Sequence, residues 1–256
     1  MIKLHGSSPY SLVLLHGGPG APGSLKPVAE ELSKCLGVIE HLQTRYLINE
    51  LISELHDDLK DFKSTPLTLM GHSWGAWFSI LYAARYPEDV KQLILVGCPP
   101  FEKRYVPLIM EKRLTRLSRQ DKNLFLRLLN EMDSGNISDE NFKILESLLH
   151  KTENYQTINS SHIEFDNQMY SKIWKEAEDL RDSGTLSELL SSITVPLYAI
   201  HGDCDPHPLS GVIEPLKSRN VNFEVHKLSK CGHYPFNEKY AKDEFYNIIR
   251  NVMNSY

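Results

Sequence analysis

Gly71-His72-Ser73-Trp74-Gly75 follows directly on the apolar run Pro66-Leu67-Thr68-Leu69-Met70 and leads into Ala76 to Tyr86. The apolar run reads as a buried strand, and the segment after the second glycine reads as a helix. Gly-x-Ser-x-Gly between a strand and a helix is the setting of a nucleophile elbow, a turn so tight that side chains two residues either side of the serine would collide. Gly71 and Gly75 remove those side chains. Ser73 is therefore expected to project its hydroxyl from the top of a sheet. Stripped of its flanks the pattern says little, because glycine and serine also build ordinary turns.

Upstream, Ser11-Leu12-Val13-Leu14-Leu15 is the first clear strand, ending in the loop His16-Gly17-Gly18-Pro19-Gly20. Val28 to Leu36 reads as a short helix and Gly37 to Glu40 as a strand. Leu47, Leu51, Leu55, Leu59 and Phe62 recur at spacings of three and four, the stripe of an amphipathic helix. After the elbow come the strand Gln92–Val96, a strand beginning near Val195 and closing at His201-Gly202, the alternating strand Phe223–Lys227 and a closing helix from Lys239 to Met253. Strands alternating with helices predict an α/β fold: a mostly parallel sheet with helices on both faces and active groups at the carboxyl ends of its strands. Between Pro99 and about Ser192 strand signals vanish and leucine-rich charged helices replace them. The expected organisation is a core of residues 1–98 and 193–256, interrupted by a helical lid over 99–192. Within the lid, Ser138 is expected to cap a helix that places Phe142, Leu145 and Leu149 on one face. The segment Glu111–Arg127 carries Lys112, Arg113, Arg116, Arg119, Lys122 and Arg127 around an apolar stripe. It reads as a solvated helix face, with guidance of an anionic substrate as the alternative.

The 256 residues suffice for such a domain, and a net charge of −5 gives no reason to expect nucleic acid or an anionic membrane as partner. Neither a secretory leader nor a membrane-spanning run is visible, which predicts a cytoplasmic protein. Cys35, Cys98, Cys204 and Cys231 are scattered without a CxxC pair and read as reduced, buried packing residues.

A serine hydroxyl needs a base within hydrogen-bond reach and a third group to orient that base. Both follow Ser73 in the chain order Ser, Asp, His. His201-Gly202-Asp203-Cys204-Asp205-Pro206-His207-Pro208 supplies the acid just after a strand. Asp205 is the candidate, since the loop needs a few residues to carry a carboxylate toward the histidine; Asp203, the alternative, suits backbone N–H groups in the turn. His233, in Lys230-Cys231-Gly232-His233-Tyr234-Pro235-Phe236, is the candidate base, between the last strand and the last helix. Pairing of Asp205 with His233 would also set Cys204 and Cys231 on adjoining loops. His41, His56, His150, His162 and His226 read as ordinary surface or core histidines. A metal site from His201, Asp203, Asp205 and His207 is disfavoured because neighbours on a turn point apart, and no metal or other cofactor is expected. An oxyanion needs N–H donors. The N–H of Trp74 is one; Gly18 is the expected second, with Gly17 behind it, and Pro19 has no N–H to give.

These residues together resemble the α/β-hydrolase superfamily over residues 11–98 and 193–253. His16-Gly17-Gly18-Pro19-Gly20 with a Ser-Trp-Gly elbow, and Tyr86-Pro87-Glu88-Asp89-Val90 before a strand, resemble the proline iminopeptidase branch. The resemblance implies a serine peptidase that releases an N-terminal residue from a short peptide through an acyl-enzyme. Members with similar elbows cleave esters, amides or carbon–carbon bonds in small molecules, and a non-catalytic binder with the hydrolase fold is the reading of another class. Relatives in this branch have a longer segment before the glycine-rich loop, and they set lid carboxylates against the substrate's ammonium group. Here the lid offers Glu164, Asp166, Glu176 and Glu178, none within a matching motif.

Overall fold

Seven strands alternate with ten α-helices in the computed structural model, which describes residues 1–62, 65–134, 136–159 and 166–254. The strands are β1 (Ile2–His5), β2 (Tyr10–Leu15), β3 (Gly37–His41), β4 (Leu67–His72), β5 (Val90–Val96), β6 (Leu197–Gly202) and β7 (Phe223–Leu228). They form one sheet in the order β1-β3-β2-β4-β5-β6-β7. Only β1 runs antiparallel, at the edge against β3; every other pairing is parallel. The elbow strand β4 lies between β2 and β5, so its carboxyl end opens at the middle of the sheet.

Period-two alternation of side chains divides the core between the two faces. Val13, Leu15, Leu69, Leu93 and Leu95 face α2 (Ile48–Asp58) and α3 (Trp74–Arg85). Leu12, Leu14, Met70, Ile94 and Val96 pack in a second core with α1 (Lys26–Leu32) and α10 (Lys242–Asn254). All ten of these strand residues are fully buried. At about 1.5–3 kcal/mol for each buried side chain of this size, central strands apolar on both faces are what a covered parallel sheet requires.

From β5 to β6 the chain is helical among the described residues: α4 (Val106–Thr115), α5 (Arg119–Asp133), α6 (Asp139–Glu153), α7 (Asn167–Asp182) and the short α8 (Thr185–Leu189). Leu117, Phe125, Leu128, Leu145 and Leu148 make a separate small core between α4, α5 and α6. Ser138 caps α6, accepting from the Asn141 N–H, as its position predicts. By contrast, Met169, Ile173 and Ala177 of α7 and Leu186 of α8 join the first core beneath the sheet. Trp77 of α3 stacks on Trp174 of α7 with ring centroids 5.8 Å apart and donates to the Pro99 carbonyl. The insertion thus has one half with its own core and one half sealed to the sheet.

Several boundaries differ from the sequence reading. The stripe from Leu47 ends its α-helix at Asp58 and tightens into a 3₁₀ turn over Lys60–Phe62. The segment Glu111–Arg127 is two helices broken between Thr115 and Arg119, with Ser118 capping the second. Two elements have no counterpart in the reading: the edge strand β1 and α9 (Ser210–Ser218), which tolerates Pro215 in its interior. The cysteines are free, as expected, but Cys35 is exposed and Cys204 half-buried, so only Cys98 and Cys231 are buried packing residues. No helix among the described residues is long and apolar enough to cross a membrane.

Candidate active site

Ser73 occupies the turn between β4 and α3 with φ 54° and ψ −120°, a left-handed region that costs a residue with a Cβ. Two neighbours hold it there. Its N–H donates to the Val96 carbonyl of β5 at 2.9 Å, and its carbonyl accepts from Ala76 at 2.9 Å. Ser73 is partly exposed among buried neighbours, and its hydroxyl makes no hydrogen bond to a described residue. The two glycines act differently from each other. A Cβ on Gly71 would lie 2.0 Å from the Gly75 carbonyl oxygen, whereas one on Gly75 would lie 2.0 Å from the Leu15 carbonyl oxygen of β2. The first opens the turn; the second lets the helix approach the sheet.

Asp205 and His233 meet after β6 and β7. His233 Nδ1 donates to Asp205 Oδ2 at 2.8 Å, with both residues buried. The other oxygen, Oδ1, accepts from the His207 N–H at 2.9 Å and from His207 Nδ1 at 2.8 Å. His201 Nε2 lies 3.7 Å from Oδ2 and donates to the His207 carbonyl at 2.9 Å. Burial alone would raise the Asp205 carboxyl, but the charges of His233, His201 and His207 hold it well below the usual carboxylate range. For His233 burial acts downward, and the Asp205 charge and hydrogen bond overcome it and raise the imidazole above its ordinary value. Asp203 is used elsewhere: its Oδ1 accepts the Cys231 N–H at 3.1 Å, and Cys204 N–H donates to the Cys231 carbonyl at 2.8 Å, so the two cysteines do lie on adjoining loops.

The expectation that side chains of the 201–207 turn point apart fails for three of the four residues. His201, Asp205 and His207 converge because the turn folds back under the His201–His207 hydrogen bond. Glu153, Asp205, His207 and His233 each bring one ligand-type atom within 4.8 Å of the others. Their donors are largely spent: both Asp205 oxygens accept from histidines, and Glu153 Oε1 takes the Arg113 guanidinium at 2.6 Å. The set fits a hydrogen-bond network better than a metal, whose ligands must give up those protons.

The glycine-rich loop abuts the elbow, since a Cβ on Gly17 would lie 3.1 Å from the Ser73 Cβ. Gly18 takes φ 111°. Trp74 is the first residue of α3, where an N–H has no partner within the helix. His72 ties His233 to the elbow: its Nε2 donates to the His233 carbonyl at 2.9 Å and the two rings sit 4.9 Å apart. Burial drives His72 down to about 3, so it is neutral across the physiological range.

Residues that sequence reasoning passed over complete the surroundings. Buried Glu238 accepts from the Gly232, Tyr155 and Gln156 N–H groups at 2.8, 2.7 and 2.7 Å, fixing the His233 loop to the segment that follows α6. Cations in the last turn of helix α4 and just after it reach backbone carbonyls, although Lys112 is itself exposed. Lys112 Nζ donates to the Asp205 carbonyl at 3.2 Å, and Arg116 donates to the carbonyls of Thr152, Cys204 and Asn154. Arg116→Met, which keeps the stem and removes the donors, is expected to lower unfolding free energy by about 1–3 kcal/mol in a urea titration. No change in midpoint would mean those carbonyls find water instead. The lid carboxylates are also engaged: Asp166 caps α7 and accepts from the Tyr46 hydroxyl, and Glu176 accepts the Ile48 N–H. Glu178 pairs with the buried Arg181, and Glu164, like His162, lies outside the described residues.

A protein-family description, serine aminopeptidase S33, matches residues 43–239. The chain belongs to the serine aminopeptidase S33 family. The match takes in the elbow, Asp205 and His233, and begins after the glycine-rich loop. Among curated relatives of this S33 family member, the proline iminopeptidase of Clostridioides difficile is 25% identical over 260 residues, covering 90% of this chain and 87% of that protein. The proline iminopeptidase of Lactobacillus delbrueckii subsp. bulgaricus is 31% identical over 101 residues, and the match spans only 34% of its length. Human monoacylglycerol lipase ABHD6 is 23% identical over 251 residues, 91% of this chain and 69% of that protein. In fold, the crystal structure of VinJ superposes with a TM-score of 0.76 at 17% identity, over 99% of this chain and 94% of that one. The S33 member described here has the α/β-hydrolase fold.

Proposed function

We propose that the protein is a serine hydrolase working through an acyl-enzyme, with Ser73 as nucleophile, His233 as base and Asp205 as the group that orients the base. The observation that carries this reading is the 2.8 Å bond from His233 Nδ1 to a buried, ionised Asp205, with His233 tied through His72 to the turn that holds the adjacent Ser73 at positive φ. That bond leaves His233 Nε2 unprotonated and able to take the Ser73 proton as Oγ attacks an acyl carbon. The N–H groups of Trp74 and Gly18 then receive the oxyanion, His233 returns the proton to the leaving group, and water repeats the sequence to release the acid.

The substrate we propose is a short peptide giving up its N-terminal residue, on the family match and the proline iminopeptidase relatives. A second reading, a small-molecule carboxylesterase, is favoured by one feature. Asp166 and Glu176 already accept hydrogen bonds within the protein and are poorly placed to receive a substrate ammonium group. Incubation with a fluorophosphonate and mass spectrometry, with Ser73→Ala as blank, is expected to find one adduct, on Ser73. An unlabelled protein would leave the non-catalytic binder. Turnover of prolyl arylamides is the outcome that supports the peptidase, and turnover of short-chain aryl esters alone would replace it with the esterase.

A further inference from the structure

Two N–H groups that must act on one oxygen sit on different loops. Trp74 belongs to the β4–α3 elbow and Gly18 to the loop after β2. Their relative position is useful only if something rigid joins the loops, because an oxyanion hole works through donors fixed before charge develops.

Gln43 spans that gap. It follows β3, whose last residue His41 is paired with Leu15 at the end of β2, so Gln43 emerges beside the glycine-rich loop. Its side chain is 2% exposed, and both ends of its amide are used. Oε1 accepts from the indole Nε1–H of Trp74 at 3.0 Å, and Nε2 donates to the His16 carbonyl at 3.2 Å. The partners fix which end is which, since an indole only donates and a carbonyl only accepts. The Gln43 backbone adds a third bond, donating its N–H to His16 Nε2 at 3.2 Å.

That third bond has a consequence one peptide further along. Accepting at Nε2 places the His16 proton on Nδ1, which donates to the Gly17 carbonyl at 2.9 Å. Burial lowers His16 to about 4, so the neutral imidazole that this pattern requires is the form present at neutral pH. In a trans peptide the carbonyl and the next N–H point opposite ways. Pinning the Gly17 carbonyl to the His16 ring therefore turns the Gly18 N–H away from that ring.

We propose that Gln43 is a positioning residue of the oxyanion hole, its side-chain amide locking the Trp74 elbow to the His16–Gly18 loop. This rests on the serine-hydrolase reading above, and it assigns Gln43 no contact with substrate.

The test compares wild type with Gln43→Leu, which removes both amide bonds at similar volume, and with Trp74→Phe, which removes the indole N–H but keeps the backbone donor. Folding is checked by thermal melting. Turnover of 4-nitrophenyl acetate and inhibition by an alkyl trifluoromethyl ketone, which adds to a serine as a tetrahedral oxyanion, are then measured. In each folded variant kcat is expected to fall about ten- to a hundred-fold, with KM within about three-fold and ketone affinity falling in step with kcat/KM. A purely structural role would lower the melting temperature without separating kcat from KM. A folded variant with kcat within about two-fold of wild type, or with reduced kcat and unchanged ketone affinity, overturns the proposal. Should Gln43→Leu fail to fold, Trp74→Phe decides by the same criteria. A wild-type protein that neither turns over the ester nor takes up fluorophosphonate removes the hydrolase reading itself, and the role of Gln43 with it.

Discussion

Asp205→Asn is expected to reduce kcat by about four orders of magnitude at neutral pH while the protein remains folded. The reason lies in which way the new amide must face. Oδ1 of Asp205 receives two donors from one residue, the backbone N–H and the ring Nδ1 of His207. A backbone N–H cannot change its role, so the asparagine must keep its oxygen on that side. Its NH₂ then faces His233 Nδ1, which now has to accept instead of donate. The proton moves to Nε2, and the ring presents an N–H where the mechanism needs a lone pair. Loss of the carboxylate also removes the charge that raises His233 against its burial. Activity requires the neutral imidazole, so it is lost as pH falls through the His233 value. In the variant the acid limb of kcat/KM is therefore expected to move to lower pH. Profiles measured between about pH 5 and pH 9 check both effects. A kcat within ten-fold of wild type would show that Asp205 is not the orienting group.

What the sequence disclosed and what it withheld divide along contact distance in the chain. The elbow was legible because strand, glycines, serine and helix are contiguous, and tight turns depend on local sterics. Asp205 could be separated from Asp203 by counting residues from the strand end, and Asp203 does satisfy a backbone N–H. His207 was not read as a partner of that carboxylate, since only the folded turn reveals that it doubles back. Glu238 and Gln43 lie in unremarkable stretches and gain their roles from backbone groups that folding brings to them, 6 and 83 residues away for Glu238 and 27 for Gln43. The cations from Lys112 to Arg127 divide: Lys112, Arg119 and Arg127 are exposed, as a solvated face predicts, whereas Arg113 and Arg116 are half-buried on protein acceptors. An amphipathic pattern shows that a helix has two faces, but cannot say which face meets carbonyl oxygens and which meets water. The same limit applies to α7, whose apolar stripe fits an independent lid and the main core equally well. Edge strand β1, four residues with exposed Lys3 and Leu4, offered too little periodicity to stand out.

Gly75→Ala is expected to be among the most damaging single methyl additions in this chain. The motif is commonly explained by collision across the serine turn, and that explanation suits Gly71, whose added Cβ would meet Gly75. For Gly75 the obstacle is the sheet: an alanine Cβ would lie 2.0 Å from the Leu15 carbonyl oxygen, 2.7 Å from its carbon and 2.8 Å from the His16 oxygen. These are backbone atoms with little freedom to retreat. Leu15 is paired with His41 on one side and Gly71 on the other, and His16 begins the loop that carries Gly18. Relief must come from moving α3 off the sheet, which opens the contacts of Trp74, Trp77 and Phe78 in the first core. A loss above about 3 kcal/mol is expected, seen as a fall in melting temperature of roughly 6–12 °C. Fluorophosphonate uptake at Ser73 should disappear with it, because the turn cannot keep its φ once the helix shifts. Gly184→Ala supplies the contrast: its φ is 86° and nothing lies within 4 Å of the added carbon, so only backbone strain of about 1–2 kcal/mol applies. If the two variants melt together, β2 yields to the methyl group, and Gly75 serves the turn alone.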